Sequence, residues 1–164
     1  MKEILERRSV RRFTAQPVEK EKIKQILKAA MAAPSAVNQR PWEFYVVTDK
    51  DTLQKLSQSS PYAGPVGGAP AAIVVCYRRD GLTAPEYADI DCAIASENIL
   101  LEITSQGLGG VMIGIAPIGE RMARVAVALD LPDDLKAFTI IPFGYAADER
   151  EQTDRYDDSR VHFL

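Results

Sequence analysis

The chain has 164 residues, of which 46% are hydrophobic and 26% are charged, a composition typical of one globular domain rather than of a disordered or collagen-like chain. Its 20 Lys and Arg and 23 Asp and Glu give a net charge of −3, so overall charge attracts it neither to nucleic acid nor to an anionic membrane. The N-terminus has no apolar signal segment, and no uncharged apolar stretch approaches the about 18 residues needed to span a bilayer. We therefore expect one cytoplasmic domain over residues 1–164, without a nucleic-acid or membrane partner.

Few side chains are suited to metal binding or nucleophilic catalysis. The single histidine is His162, and the two cysteines, Cys76 and Cys92, form no CxxC pattern, so we expect two packed core thiols. A multi-imidazole metal centre, a Ser-His-Asp triad and a Cys-His pair all lack the residues they need. The sequence predicts no metal site and no catalytic residue supplied by the protein itself.

The first half of the chain alternates helical and strand patterns. In chain order, it predicts a short helix over 1–8, an amphipathic helix over 19–33, a proline-bracketed loop over 35–41, a strand over 42–48 and a helix over 49–60. The helix over 19–33 has its apolar residues at helical spacing and ends at Pro34, where proline interrupts helical hydrogen bonding.

The second half continues the alternation. It predicts a loop over 61–70, a strand over 71–77, a helix over 85–106, a short strand over 111–115, a helix over 120–129, a strand over 136–145 and a polar tail over 146–164. The continuous apolar run 71–77 is typical of a strand covered on both faces. Residues 90–103 are apolar on nearly all sides, so that helix is expected at the centre of the fold or at an interface. The order of elements fits an α+β or α/β sandwich.

A basic cluster near the N-terminus is the first candidate for a binding site. Arg7, Arg8, Arg11 and Arg12 surround Ser9 at a junction between helix and loop. A guanidinium group offers a planar fork of donors that matches phosphate, so the cluster suits a small phosphorylated ligand. Composition alone equally allows a solvated basic stretch paired with surface carboxylates.

The proline-bracketed loop is the second candidate. Ser35, Asn38 and Gln39 could donate to and accept from the polar edge of a flat heterocycle. The alternative is a turn in which serine and asparagine bond to their own backbone.

The glycines of residues 107–114 do not form a dinucleotide-binding fingerprint. Met112 stands where the third glycine of that motif would be, and the segment follows a predicted helix, whereas the fingerprint follows a strand. These glycines could allow a backbone to approach a ligand closely, or could end a helix and form a tight turn. The tail adds Arg155, Arg160 and His162, which are either further ligands or solvated residues.

Five segments together resemble the nitroreductase family of FMN oxidoreductases, in a compact version. They occur in the family's order and span almost the whole chain, namely Arg7–Phe13 (RRSVRRF), Ala33–Trp42 (APSAVNQRPW), Gly107–Gly114 (GLGGVMIG), Pro142–Tyr145 (PFGY) and Arg155–His162 (RYDDSRVH).

The resemblance implies a fold and a set of cofactor ligands. It implies an α+β sandwich, in which helices flank a mainly antiparallel sheet, and an intertwined homodimer with two FMN molecules at its interface, for which residues 90–103 are the candidate core. One chain would hold FMN through Arg7, Arg8, Ser9, Arg11, Met112, Ile113, Gly114 and Arg155. The other would reach the same flavin through Pro34, Ser35, Ala36 and Asn38.

The implied activity is hydride transfer from NADH or NADPH, through flavin N5, to electron-poor acceptors such as nitroaromatics and quinones by a ping-pong mechanism. Flavin chemistry would explain why the chain lacks a catalytic His, Cys or metal site. Two alternatives keep the flavin: a storage or sensing module without turnover, and an enzyme with another reaction such as reductive dehalogenation. A domain without any ligand is the remaining alternative.

Overall fold

A five-stranded sheet forms the middle layer of the computed structural model, which describes residues 2–78, 80–148 and 154–164. The strands are β1 (Trp42–Val47), β2 (Ala71–Arg78), β3 (Gly109–Gly110), β4 (Ile113–Gly114) and β5 (Leu135–Gly144). They follow the order β1-β2-β5-β3, and β4 pairs with β5 as well. Every pairing between these strands is antiparallel, which confirms the α+β sandwich implied by the resemblance.

Helices cover both faces of this sheet. They are α1 (Lys2–Glu6), α2 (Lys20–Met31), α3 (Lys50–Ser57), α4 (Gly64–Gly67), α5 (Ala88–Ser105) and α6 (Gly119–Leu129). Short 3₁₀ turns occupy Ala36–Asn38, Pro85–Tyr87 and Asp158–Arg160.

Two apolar cores result, one on each face. The first packs α2 and α5 on the sheet and includes Ile26, Ile99 and Phe143. The second contains side chains from α3, α4 and α6, among them Leu56 and Val125. Burial of apolar area in both cores is the main force that stabilises the fold.

Strand β2 belongs to both cores. Every residue from 71 to 77 is buried, with Ile73 and Val75 in the first core and Val74 and Cys76 in the second. This alternation is the reason for its continuous apolar sequence, and it confirms the prediction of a strand covered on both faces.

Three predicted elements differ in detail. Residues 61–70, predicted as loop, contain α4, because Pro65 is preset for a first helical turn and Val66 is fully buried in the second core. The strand predicted over 111–115 is limited to the two residues of β4, and the preceding β3, which also pairs with β5, was not predicted. The helix predicted over 85–106 begins as a 3₁₀ turn and becomes α-helical only at Ala88.

Candidate functional site: the N-terminal arginines, the glycine-rich edge and the 34–41 loop

The arginine segment lies along β3. Ser9 forms a parallel bridge with Gly110, and the Val10 amide donates a hydrogen bond to the Gly110 carbonyl at 3.0 Å. A Cβ placed on Gly109 would lie 2.5 Å from Val10 Cγ2, so only glycine at that position admits the segment. The two candidate regions at 7–12 and 107–114 are therefore adjacent in the fold.

Arg8 and Val10 line a cavity of about 400 Å³ at the C-terminal end of α5. Thr104, Gly107, Gly109 and Asp148 are also in its wall. Arg8 Nη1 is buried and has no hydrogen-bond partner among the described residues. Because an unpaired buried donor is costly, this atom indicates a ligand or partner group that completes the site.

The other arginines are only lightly engaged. Arg7 Nε lies 3.3 Å from Glu97 Oε1 on α5, and Arg11 Nη1 makes a long 3.5 Å contact with the Ser9 carbonyl. Arg12, which is largely exposed, lies 3.4 Å from Asp148. The exposed Arg12 pair contributes little, so Arg12 can leave it at small cost, whereas the Arg7 side chain is only 24% exposed.

Strand β4 presents backbone to solvent. Ile113 is buried and its carbonyl accepts from Thr139 Oγ1 at 2.7 Å, which fixes the strand edge. Gly114 is exposed, and a Cβ there would meet no atom within 4 Å. Next to it, Met112 is also exposed. A flat ligand can approach this edge closely because Gly114 carries no side chain.

Residues 61–70 reach the same edge indirectly. Arg121 Nη1 donates to the Gly114 carbonyl at 3.1 Å, and its guanidinium lies 5.5 Å from the centroid of the Tyr62 ring. Tyr62 is exposed. The segment therefore lies beside β4.

The proline-bracketed loop has an unusual backbone. Val37, Asn38 and Arg40 adopt left-handed conformations, with φ of 46°, 57° and 46°. This region costs an L-residue roughly 1–2 kcal/mol, and a β-branched residue such as Val37 rarely occupies it. Strain of this kind persists only where the surroundings impose it, and it is concentrated at functional sites.

Asp91 and Gln39 hold this loop. Asp91, only 2% exposed, accepts from the Ala36 amide at 2.9 Å and from Gln39 Nε2 at 2.7 Å. Gln39 also donates to the Ala84 carbonyl and accepts from the Ala84 amide. At the end of the loop, Ser35 Oγ accepts from the Arg40 amide at 3.0 Å.

Within the chain, the candidate residues form two separate groups. The first consists of Arg7, Arg8, Ser9 and Arg11, on the segment that is bridged to β3, and of Met112, Ile113 and Gly114, which follow β3 along the same edge of β5. The second group, Pro34, Ser35, Ala36 and Asn38, is tied to the first turn of α5 through Asp91. From there to Glu97, which contacts Arg7, the helix rises by about 9 Å.

Arg155 belongs to neither group. Residues 154–164 are all exposed, and the recorded hydrogen bonds and ion pairs of this described segment join its own residues, as in the Asp157–Arg160 pair at 3.1 Å. Sequence analysis missed Asp91 as a loop anchor. The available signal was its position on α5, four residues before Ala95 and eight before Ile99, which puts an acid on the apolar face of that helix.

Comparison with known proteins settles the ancestry of this arrangement. The profile of the nitroreductase family matches residues 4–61 and 58–145, which together span most of the chain. The chain belongs to the nitroreductase family. The resemblance drawn from the five motifs is therefore confirmed.

Individual relatives cover nearly the whole nitroreductase domain. A protein of Methanothermobacter thermautotrophicus with a provisional name as an NADH dehydrogenase/NAD(P)H nitroreductase is 40% identical over 95% of this chain and 82% of its own length. The structure of an FMN-dependent nitroreductase from Clostridium difficile R20291 superposes with a TM-score of 0.92 at 32% identity, covering 99% of this chain and 98% of that one. The NADPH:FMN oxidoreductase of Vibrio harveyi, complexed with NAD+, gives a TM-score of 0.86 at 27% identity, covering 99% of this chain and 75% of that one.

The described residues contain neither a membrane-spanning helix nor a cluster of metal-ligating side chains. Helices in 2–78, 80–148 and 154–164 are too short or too polar to cross a membrane. Over the same ranges, His, Cys, Asp and Glu side chains do not cluster in threes around a point that could hold a metal ion.

Proposed function

We propose that this nitroreductase-family chain is an FMN-dependent oxidoreductase that takes hydride from NADH or NADPH and reduces electron-poor acceptors such as nitroaromatics and quinones. The observation that carries the proposal is the pairing of the arginine segment with β3, because β4 and its open Gly114 backbone follow along the same edge of β5. FMN combines a phosphate with a flat heterocycle. The arginines suit the phosphate, and the open backbone at Gly114 suits the heterocycle. The names of relatives as an FMN reductase and an FMN-dependent nitroreductase support the same cofactor.

The donor set fits FMN. Arg7, Ser9 and Arg11 would hold its phosphate and ribityl end and its pyrimidine edge. Arg155, which lies apart in the exposed tail of the single chain, would add a second phosphate contact. The buried, unpaired Nη1 of Arg8 provides a further donor in the cavity next to them. Arginines suit this task because each can form two parallel charge-assisted hydrogen bonds.

The flavin ring would lie against Met112, Ile113 and Gly114. FMN bound there would supply the redox chemistry, which is hydride transfer from the nicotinamide through flavin N5 to the acceptor in a ping-pong cycle. The chain supplies position: Thr139 fixes Ile113, and the missing side chain of Gly114 leaves room for the ring. A protein acid or base is not part of this proposal, and the acceptor would use the same open face as the nicotinamide.

The working unit is proposed to be a homodimer. Helix α5 buries one face in the first core but leaves Ile90 and Ile94 53% and 36% exposed, one turn apart on the same side. Exposed apolar side chains in a row favour a protein interface, and a symmetric dimer would cover two such rows at once. The same interface would bring Pro34, Ser35, Ala36 and Asn38 of one chain to the flavin of the other. The cytoplasmic location stays a prediction.

One spectroscopic experiment tests this function. The purified protein, reconstituted with FMN and freed of excess, should show the two-band flavin absorbance, and NADH or NADPH should bleach it without oxygen. Menadione should then restore the colour and sustain NAD(P)H oxidation. Retention of FMN without bleaching would indicate a storage or sensing module instead, and failure to retain FMN would refute the proposal.

A further inference from the structure

The carboxylate of Asp91 joins the two ends of the left-handed stretch in the 34–41 loop. Its Oδ1 accepts from the Ala36 amide and its Oδ2 from Gln39 Nε2, at 2.9 and 2.7 Å. Between these two anchors lie Val37, which is 69% exposed, and Asn38, also exposed. We propose that Asp91, acting through Gln39, is a positioning residue that holds this loop in its flavin-binding conformation. The proposal rests on the proposed function, in which the loop reaches FMN.

A carboxylate is the group that this position requires. Both groups that face it, the Ala36 amide and the Gln39 side-chain amide, are donors, and an ionised carboxylate only accepts. Asp91 lies in the first turn of α5, where the helix dipole favours a negative charge. The buried acid therefore has a specific reason to be in this apolar helix.

Gln39 has one orientation available. Its Oε1 accepts from the Ala84 amide at 3.0 Å, so its Nε2 faces the Ala84 carbonyl at 2.9 Å and Asp91 at 2.7 Å. Ala84 precedes the 3₁₀ turn that leads into α5. The loop is thus fixed to the segment before the helix and to the helix itself.

The hydrogen bonds of Asp91 and Gln39 hold the loop in its strained conformation. Val37 at φ 46° would relax to ordinary backbone values if either anchor were lost. Ligand affinity falls in proportion to the fraction of protein in the binding conformation. Loss of Asp91 should therefore lower FMN affinity, and removal of the strain at Val37 should restore part of it.

Amide hydrogen exchange tests the anchor without any cofactor. In the FMN-free protein, Asp91→Asn keeps the shape of the side chain but turns a donor toward Gln39. Exchange of the Ala36 and Asn38 amides should become about tenfold faster or more, as expected when hydrogen bonds to a charged group are lost. The matched control is Asp51→Asn, the same change at an exposed residue in the first turn of α3, for which exchange in the loop should stay at the wild-type rate. Unchanged exchange in Asp91→Asn would overturn the proposal.

FMN titration tests the functional half. Asp91→Asn should weaken FMN binding by about tenfold or more, whereas Asp51→Asn should leave it within about twofold. Val37→Gly should recover at least about threefold in the Asp91→Asn background but change affinity little in the wild type, since glycine accepts the left-handed backbone. Asp130→Gly, also at a left-handed residue but at the C-terminal cap of α6, should give no recovery.

The two proposals fail separately. A wild-type protein that binds no FMN refutes the proposed function, whatever the variants do. If the wild type binds FMN but Asp91→Asn binds it equally well, or Val37→Gly gives no recovery, the positioning role of Asp91 is wrong and the proposed function stands.

Discussion

Val10 occupies the space that a side chain at Gly109 would need. Its Cβ, Cγ1 and Cγ2 lie 2.5–2.9 Å from the point where a Cβ on residue 109 would be. Gly109→Ala should therefore push the arginine segment away from β3. Overpacking of this kind costs about 1–3 kcal/mol, so the free energy of unfolding in urea should fall by that amount.

Two further variants control this prediction. Val10→Ala in the Gly109→Ala background should recover part of the lost stability, because it removes both Cγ atoms. Gly119→Ala, where a Cβ meets no atom within 4 Å, should cost nothing. Equal unfolding free energies for Gly109→Ala and the wild type would show that the segment does not pack as described.

Gly114→Val should separate folding from cofactor binding. A Cβ there meets no protein atom within 4 Å and the position is exposed, so the melting temperature should stay within a few degrees of the wild-type value. The same side chain would occupy the space proposed for the flavin ring, and FMN affinity should fall by about tenfold or more. Calorimetry and FMN fluorescence quenching measure the two quantities. Wild-type FMN affinity in Gly114→Val would show that the flavin ring does not lie against β4.

Arg11→Ala and Arg12→Ala form a matched pair on one segment. Loss of Arg11 should weaken FMN binding by about tenfold or more, the size of a charge-assisted hydrogen bond. Arg12 makes an exposed pair with Asp148 at 3.4 Å, and its loss should change FMN affinity by less than about twofold. Equal effects of the two changes would indicate a general attraction to the basic segment rather than a specific contact.

The exposed side chains of Ile90 and Ile94 on α5 predict a homodimer. Ile90→Lys should convert a dimer into a monomer in analytical ultracentrifugation and lower FMN affinity at the same time, because the proposed flavin sites need both chains. Val127→Lys, at an 84% exposed position on α6, should leave the dimer intact. Tight FMN binding by a monomeric Ile90→Lys protein would contradict a shared site.

The buried thiols predict a loss of stability at alkaline pH. Burial, with a smaller contribution from Glu43, raises the pKa of Cys76 from 9.0 to about 12, and burial raises the pKa of Cys92 as well. The unfolded chain therefore releases these protons at lower pH than the folded one. Their contribution is fully present below about pH 9 and is lost as the pH rises toward 12.

Urea unfolding at about pH 8 and about pH 10 measures this loss. The wild type should lose more unfolding free energy between the two values than the Cys76→Ala/Cys92→Ala variant, which lacks both thiols. Equal losses would assign the alkaline instability to other groups, of which Tyr45, whose pKa burial also raises, is the first to examine.

Hydrophobic periodicity was enough to predict the layers of this fold. The apolar run 71–77 corresponds closely to β2, because a short continuous apolar run is buried well as a strand covered on both faces. The helix predicted over 19–33 corresponds to α2, because its apolar residues recur at helical spacing. Helix α4 and strand β3 were not predictable from local patterns. Helix α4 depends on the burial of Val66 among residues distant in the sequence, and β3 depends on its pairing with β5.

The site was predictable in its parts but not in its assembly. The arginines and the glycines were found by residue type, and their contact follows from Val10 packing on Gly109, a relationship without a local signal. The anchor between Asp91 and the 34–41 loop joins residues about fifty positions apart in the sequence. Such pairings depend on tertiary structure, which no local pattern contains.

Strand β5 has a consequence for the way this protein is made. It is paired with β2, β3 and β4, and it contributes Ile141 and Phe143 to one core and Ala137 and Ile140 to the other. All three partner strands leave the ribosome before it does. Neither core can close until residues 135–144 emerge, so the nascent chain should stay exposed to chaperones and proteases through most of its synthesis.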